Sequence, residues 1–414
     1  MLGSRTAPRA PRFKDDGFQF GLELALGAAH RGGADVGEVL ATVSRIADGD
    51  ADAWVREWSA TAGDAWAAAR AAEKGGHRVS ALAHYRRAAT YYATVIQAIP
   101  RSREADRERD LWQRQRRCWD AVVDLMPAPG QRIVIPYEDT PLTGWFFPAP
   151  GTHPGERRPL VVMNNGSDGA TSSMAHHGGG AAADRGWHWM TFDGPGQQSA
   201  LFEQGLFFRP DWEAVLTPVA DAMLARPDVD PERMAVIGVS QAGFWVPRAL
   251  AFEHRYAAAV ADPGVVDVSA SWTRDLPGMM RQQLEHGDRV AFDREMRLAE
   301  LFDHELTSSL RDRGGPYGVA GGSAFELFRT VLAYRLDGEV AQITTPLLIT
   351  DPEGEPFWPG QSQELHDRLT GDRALVRFSA REGADGHCEP LAPALREARI
   401  FDWLEDRLTG PGGR

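Results

Sequence analysis

A serine, a histidine and a loop of carboxylates in the second half of the chain are residue types that together can break an acyl bond. The serine is Ser240, in Met234-Ala-Val-Ile-Gly-Val-Ser-Gln-Ala-Gly-Phe-Trp. An apolar, strand-like run precedes it, a helical pattern follows, and Gly238 and Ala242 stand two positions to either side. A strand-to-helix turn tight enough to expose a serine hydroxyl strains its backbone and leaves no room for flanking side chains, so small residues are required there. A serine hydroxyl is a weak nucleophile at neutral pH and needs a base. His387 is the candidate, in the polar loop Arg381-Glu-Gly-Ala-Asp-Gly-His-Cys-Glu-Pro between the last strand pattern and the C-terminal helix. His84 and His366 fall in helical patterns and read as surface residues. The base needs an orienting acid. The loop Asp351-Pro-Glu-Gly-Glu-Pro-Phe-Trp-Pro follows a strand pattern and offers three carboxylates. Glu355 has the favoured offset from the strand, Asp351 is the alternative, and Asp262, after an earlier strand, is a third and weaker choice.

A tetrahedral oxyanion needs backbone donors. The N–H of Gln241, directly after the serine, is one candidate. The second is Ser167, in the turn Asn164-Asn-Gly-Ser-Asp-Gly after the strand pattern at 160–163. The loop Phe192-Asp-Gly-Pro-Gly-Gln follows the next strand, and its glycines suit a tight border to the same cleft. No metal site is expected, because His176 and His177 are adjacent and cannot share the i, i+4 helix face of many zinc sites. No cofactor is expected either. The glycine-rich stretch 313–322 follows no strand and precedes no Lys-Ser/Thr, so it fails the phosphate-loop pattern and reads as a flexible joint.

The elements that must position these residues divide the chain. Residues 1–17 read as a disordered or extended arm. Residues 18–127 are Ala-rich with aromatics at three- and four-residue spacing, a pattern that predicts several packed helices, one of them opening at Ser80 as N-cap. Pro127-Ala-Pro-Gly then breaks the pattern. From 128 to 410 short apolar runs alternate with helical patterns, which predicts an α/β fold, a mostly parallel sheet with helices on both faces. Residues of about 268–340 lack strand signals and read as a helical insertion.

Composition limits the partners. The balance of 45 Lys+Arg against 58 Asp+Glu gives −13, which repels phosphate backbones and anionic membranes, so neither nucleic acid nor membrane is an expected partner. Two cysteines, Cys118 and Cys388, form no disulfide framework and fit a reducing cytoplasm, although a lone bridge stays open. The first residues lack the apolar core of a signal peptide, and no later run is apolar for long enough to span a bilayer.

The serine turn Gly-Val-Ser-Gln-Ala-Gly, the Met163-Asn-Asn-Gly-Ser-Asp-Gly turn, the Phe-Asp-Gly-Pro-Gly loop and Glu-Gly-Ala-Asp-Gly-His-Cys together resemble the α/β-hydrolase superfamily. The helical region, with Ala53-Trp-Val-Arg-Glu-Trp and Ala83-His-Tyr-Arg-Arg-Ala-Ala-Thr-Tyr-Tyr, resembles the group containing 2,6-dihydroxypseudooxynicotine hydrolase and the fungal heptaketide-shortening pigment hydrolases. This resemblance implies hydrolysis of a carbon–carbon bond next to a ketone in an aromatic or polyketide-like small molecule. It places Ser240 as nucleophile, His387 as base and the acid on the 351–355 loop, in a homodimer. A carboxylesterase, thioesterase or acyltransferase of secondary metabolism is the alternative, and a silent ligand-binding homologue is a third reading.

Overall fold

The computed structural model describes residues 12–408 except 154, 303–309, 311, 312, 320 and 321. Five helices lead: α1 Asp16–Ala28, α2 Val36–Val43, α3 Ala51–Lys74, α4 Arg78–Ile96 and α5 Glu108–Leu125. Asp15 caps α1 through its side chain, and Phe13 is buried edge-on against Phe18 and Trp54. Residues 12–17 are therefore built into the fold, contrary to the expected arm, and residues 1–11 lie outside the described part. α4 begins at Arg78 after His77, so Ser80 sits inside the helix rather than capping it. Its buried stripe of Leu82, Tyr85, Ala88, Ala89 and Tyr92 shows why tertiary packing, not a cap, fixes its start.

Eight strands follow: β1 Gln131–Ile135, β2 Leu142–Phe147, β3 Arg158–Asn164, β4 His188–Phe192, β5 Val229–Val239, β6 Ala258–Asp262, β7 Leu347–Pro352 and β8 Arg373–Phe378. They form one sheet in the order β1-β2-β4-β3-β5-β6-β7-β8, with β1 and β2 antiparallel and every pairing from β4 onward parallel. The central strands are buried on both faces, which explains why they read as apolar runs rather than alternating patterns. In an open parallel sheet, ligands bind beyond the carboxyl ends of the strands. The turn 164–169, the loop 193–197, Ser240, Asp262, Glu355 and His387 all lie there, at or beyond the ends of β3, β4, β5, β6, β7 and β8.

One face of the sheet packs against α1–α5 and the C-terminal helix Pro393–Leu408 in a single hydrophobic cluster, from Trp54 and Trp58 to Met163, Ile237 and Phe401. The opposite face has its own cluster around Trp212 and Trp245, whose rings stack at 4.1 Å. Between β6 and β7 the helices Gly278–His286, Arg289–Phe302 and Ala324–Val331 enclose a third, smaller cluster around Met280, Phe292 and Phe328. The 313–322 stretch is no free joint where it is described. Tyr317 is buried and hydrogen-bonds Gln241 at 3.1 Å, and the Arg313 guanidinium lies 4.3 Å over the Trp272 ring.

Gly27 of α1 is where the helical region meets the loop that carries His387. A Cβ there would stand 1.8 Å from the carbonyl oxygen of Pro390. Gly27→Ala is expected to lower unfolding free energy by about 1–3 kcal/mol through forced displacement of α1. Gly63 in α3 has nothing closer than 4.0 Å, so Gly63→Ala is expected to raise stability by about 0.5–1 kcal/mol. Paired denaturant melts of the two variants check both signs.

Candidate active site

Ser240 sits in the sharp turn between β5 and the helix Ala242–Leu250 with φ 59°, a left-handed backbone that a non-glycine residue rarely adopts. Its N–H donates to the carbonyl of Asp262 at 2.6 Å. Three glycines make the turn feasible. A Cβ on Gly238 would lie 2.3 Å from the carbonyl oxygen of Ala242, one on Gly243 would lie 1.8 Å from that of Pro263, and one on Gly166 would lie 2.8 Å from Cβ of Ser240. The close approach after the serine is thus at Gly243, while Ala242 keeps its methyl buried.

The structure brings Ser240, His387 and Glu355 together. Ser240 Oγ is 2.8 Å from His387 Nε2, and His387 Nδ1 is 2.7 Å from Glu355 Oε2. With a carboxylate on Nδ1 the neutral ring carries its proton there, and Nε2 accepts the serine O–H. The other carboxylate oxygen, Oε1, accepts the backbone N–H groups of Phe357 at 2.9 Å and Trp358 at 3.2 Å. The His387 and Glu355 side chains are only 3% and 5% exposed. The rings of Phe357, Trp358 and Phe20 stand 4.9, 5.7 and 5.9 Å from the imidazole, so water has little access to the pair.

Asp351 does not reach His387. β7 runs on through Pro352, so Asp351 is a strand residue in register with Arg377 of β8, and its carboxylate pairs with that guanidinium at 3.3 Å. Asp262 also points elsewhere: Oδ2 meets His177 Nε2 at 3.0 Å and Oδ1 accepts Thr350 Oγ1 at 2.7 Å.

The turn after β3 lies against Ser240 and is pinned from the neighbouring loop. Gln197 donates to the carbonyls of Asn165 and Gly166, both at 2.7 Å, and Trp212 Nε1 donates to Asn164 Oδ1 at 2.7 Å. The Gly166 N–H is taken by Asn165 Oδ1 at 2.9 Å, whereas Ser167 borders the cleft and engages Asp168 through its hydroxyl. Asp193 anchors that neighbouring loop. It is 1% exposed, hydrogen-bonds Thr171 and Ser199, and pairs with Arg116 of α5 at 3.1 Å. Residues expected only to shape the cleft therefore hold the turn in place, a role that long-range pairing decides and local sequence hides.

Two cavities meet at Ser240 and His387. A cleft of about 830 Å³ opens between the insertion, the N-terminal helices and the 355–358 loop, with Trp272, Tyr317, Phe357 and Trp358 in its wall. A pocket of about 130 Å³ lies between α1, α4 and the 165–177 segment, and its polar lining includes Thr90, Thr94, Gln97, Asp168, His176 and His177. Sequence reasoning weighed those two histidines only as metal ligands. They share one π-helical turn, Ala175–Gly179, a feature that no residue pattern announces.

Cys118 and Cys388 are both free and buried. Burial raises the Cys118 thiol to about 12; it raises Cys388 well above the ordinary thiol range, assisted by the Asp262 charge. A thiol without thiolate character is inert, although Cys388 neighbours His387. A thiol-reactive disulfide reagent is expected to find no cysteine in the native protein and two in denaturant; rapid native labelling at Cys388 would contradict this burial.

Comparisons with known proteins agree with this architecture. Residues 216–302 match the Prolyl oligopeptidase family model. The chain is 33% identical to the hydrolase acrC of Aspergillus aculeatus over 96% of its own length and 97% of that protein's. It is likewise 33% identical to the hydrolase ORFZ of Pyricularia oryzae, over 96% and 97%. The 20-hydroxy-prefusarin hydrolase FUS2 of Gibberella moniliformis is 32% identical over 62% of each chain. Among solved structures, the 2,6-dihydroxy-pseudo-oxynicotine hydrolase superposes with a TM-score of 0.71 at 19% identity, covering 94% of this chain and 97% of that one. No described helix is long and apolar enough to cross a membrane. With that fold, that cleft and near full-length similarity to acrC and ORFZ, the chain is a hydrolase of the α/β-hydrolase superfamily, belonging with those fungal hydrolases.

Proposed function

We propose that the protein is a serine hydrolase that cleaves a carbon–carbon bond next to a ketone in an aromatic, polyketide-like molecule. The observation that carries this reading is the hydrogen-bonded line from Ser240 through His387 to Glu355. In it His387 Nε2 takes the Ser240 proton as the oxygen attacks the ketone carbon, and Glu355 steadies the imidazolium that forms. The N–H groups of Gln241 and Ser167 receive the negative oxygen. Collapse of the tetrahedral adduct breaks the carbon–carbon bond. In a β-diketone its electron pair leaves with the departing carbon, spread as an enolate onto the second carbonyl, and His387 returns the proton to that carbon. Water then attacks the acyl-serine with His387 again as base, releasing the acid and restoring the Ser240 hydroxyl.

Support for the aromatic ketone comes from the cleft wall of Trp272, Tyr317, Phe357 and Trp358, which offers ring faces to a planar substrate. It comes also from kinship: FUS2 is by name a hydrolase of 20-hydroxy-prefusarin, and the fold is shared with the 2,6-dihydroxy-pseudo-oxynicotine hydrolase. Ester or thioester cleavage uses the same first half without the proton to carbon, and acyl transfer replaces water with an alcohol or amine. Product analysis with competing nucleophiles separates these outcomes.

A fluorophosphonate probe is expected to label wild-type protein and not Ser240→Ala, and a failure of wild type to label would favour the silent ligand-binding reading. With benzoylacetone as substrate, Glu355→Gln is expected to lower kcat by about 10³–10⁴-fold, as misorienting the base does in other triads. Asp351→Asn, which loses only the Arg377 pairing, is expected to stay within about threefold of wild type. Equal losses in the two variants would leave Glu355 without the role given to it.

A further inference from the structure

The small pocket holds a second histidine–carboxylate pair. His177 Nε2 lies 3.0 Å from Asp262 Oδ2, and Asp262, fully buried, also accepts Thr350 Oγ1. Burial and the Arg396 charge lower the His177 imidazole against the opposing pull of Asp262. Burial would raise the Asp262 carboxyl, but the hydrogen bonds from His177 and Thr350 and the Arg396 charge outweigh it and hold it low. Glu389 takes the opposite state. Burial, the Asp262 charge and a hydrogen bond with Asp262 push it well above the carboxylate range, and among the described residues no donor reaches either of its oxygens. His176, beside the pair, is lowered by burial and by the Arg396 and Arg86 charges, so it too is neutral. The dyad is therefore a carboxylate accepting from the Nε2–H of a neutral imidazole, and the Nδ1 lone pair is left over. Nδ1 makes no hydrogen bond with a described residue, yet it is not among the sealed polar atoms; the side chain is 12% exposed and borders the pocket.

From this geometry we infer that His177 is a specificity-determining acceptor, and that the substrate carries a phenolic or enolic hydroxyl on a portion no larger than about one six-membered ring, seated in the 130 Å³ pocket with its O–H donated to His177 Nδ1. The rest of the substrate occupies the 830 Å³ cleft, and the scissile bond lies at Ser240, where the two spaces join. Size alone would admit any single ring. The hydroxyl requirement comes from the orientation of the dyad, since an apolar ring would bury the Nδ1 lone pair without a donor. Asp262 acts as the positioning residue: it fixes the tautomer, and through its backbone carbonyl it also holds the Ser240 N–H.

This inference rests on the proposed hydrolase site, but its test needs no turnover. Fluorine NMR titration of the full-length protein with meta-fluorophenol and meta-fluorotoluene compares a donor with an apolar ring of the same size. Wild type is expected to bind the phenol about fivefold more tightly, the effect of one neutral hydrogen bond. His177→Leu removes the acceptor and is expected to abolish the preference. Asp262→Asn is expected to reduce it, because the amide can donate to Nε2 and turn Nδ1 into a donor, to which the phenol offers only its weakly accepting oxygen, a change that a purely structural role would not produce. Ala93→Phe, which fills the pocket from α4, is expected to weaken both probes. Near-UV circular dichroism verifies each fold. Equal affinities in wild type, or a preference that survives both dyad variants, would overturn the assignment, and so would binding that ignores Ala93→Phe. A protein that shows the phenol preference but hydrolyses neither esters nor β-diketones would contradict the hydrolase reading alone.

Discussion

The left-handed backbone of Ser240 is the constraint on which the rest of the site depends. A non-glycine residue held there costs on the order of 1–3 kcal/mol, and it persists only where its surroundings over-determine it. Here they do so from three sides. The Asp262 carbonyl takes the Ser240 N–H, and Gly238, Gly243 and Gly166 let backbone from the elbow, from the loop after β6 and from the turn after β3 close to distances no Cβ would allow. That closeness brings the serine hydroxyl within reach of His387 and sets the 164–169 turn beside it. The hydroxyl position is thus a product of backbone packing, and side-chain chemistry is added to a position already fixed.

The helical region and the C-terminal helix extend the same logic outward. Arg396, 3% exposed, donates to the carbonyls of Cys388 and His177, so one guanidinium ties the segment after His387 to the π turn. The adjacent Glu397 pairs with Arg31 at 2.5 Å and His30 at 3.2 Å, just past the end of α1. A buried ion pair contributes little net stability but is costly to break. Its value here is positional: α1 is anchored where Phe20 meets the His387 ring and where both cavities find their helical wall.

Short-range features of the site were legible in the sequence, and long-range ones were not. The Ser240 elbow, the His387 loop and the 164–169 turn each depend on residues within a few positions of one another, so composition and order suffice to read them. The choice between Glu355 and Asp351 depends on where β7 stops. Two more strand residues than the apolar run suggests put Asp351 into register with Arg377, a pairing set by a strand 26 positions away in sequence. Tyr317 within a glycine-rich stretch looked like part of a joint because its partner, Gln241, belongs to the elbow. The pairing of His177 with Asp262 joins a π turn to a strand end, and Ser80 lost the start of α4 to a buried stripe that begins further along. In each case a tertiary contact overrode a local preference.

The central claim is that Ser240 carries the acyl fragment when the carbon–carbon bond breaks. Quenching the enzyme within the first turnovers of benzoylacetone and weighing the intact protein tests it most directly. A single acyl increment that maps to the peptide containing Ser240, disappears with excess time and is absent in Ser240→Ala is the expected result. Cleaved product formed at the wild-type rate with no adduct, or by Ser240→Ala as fast as by wild type, would contradict the account.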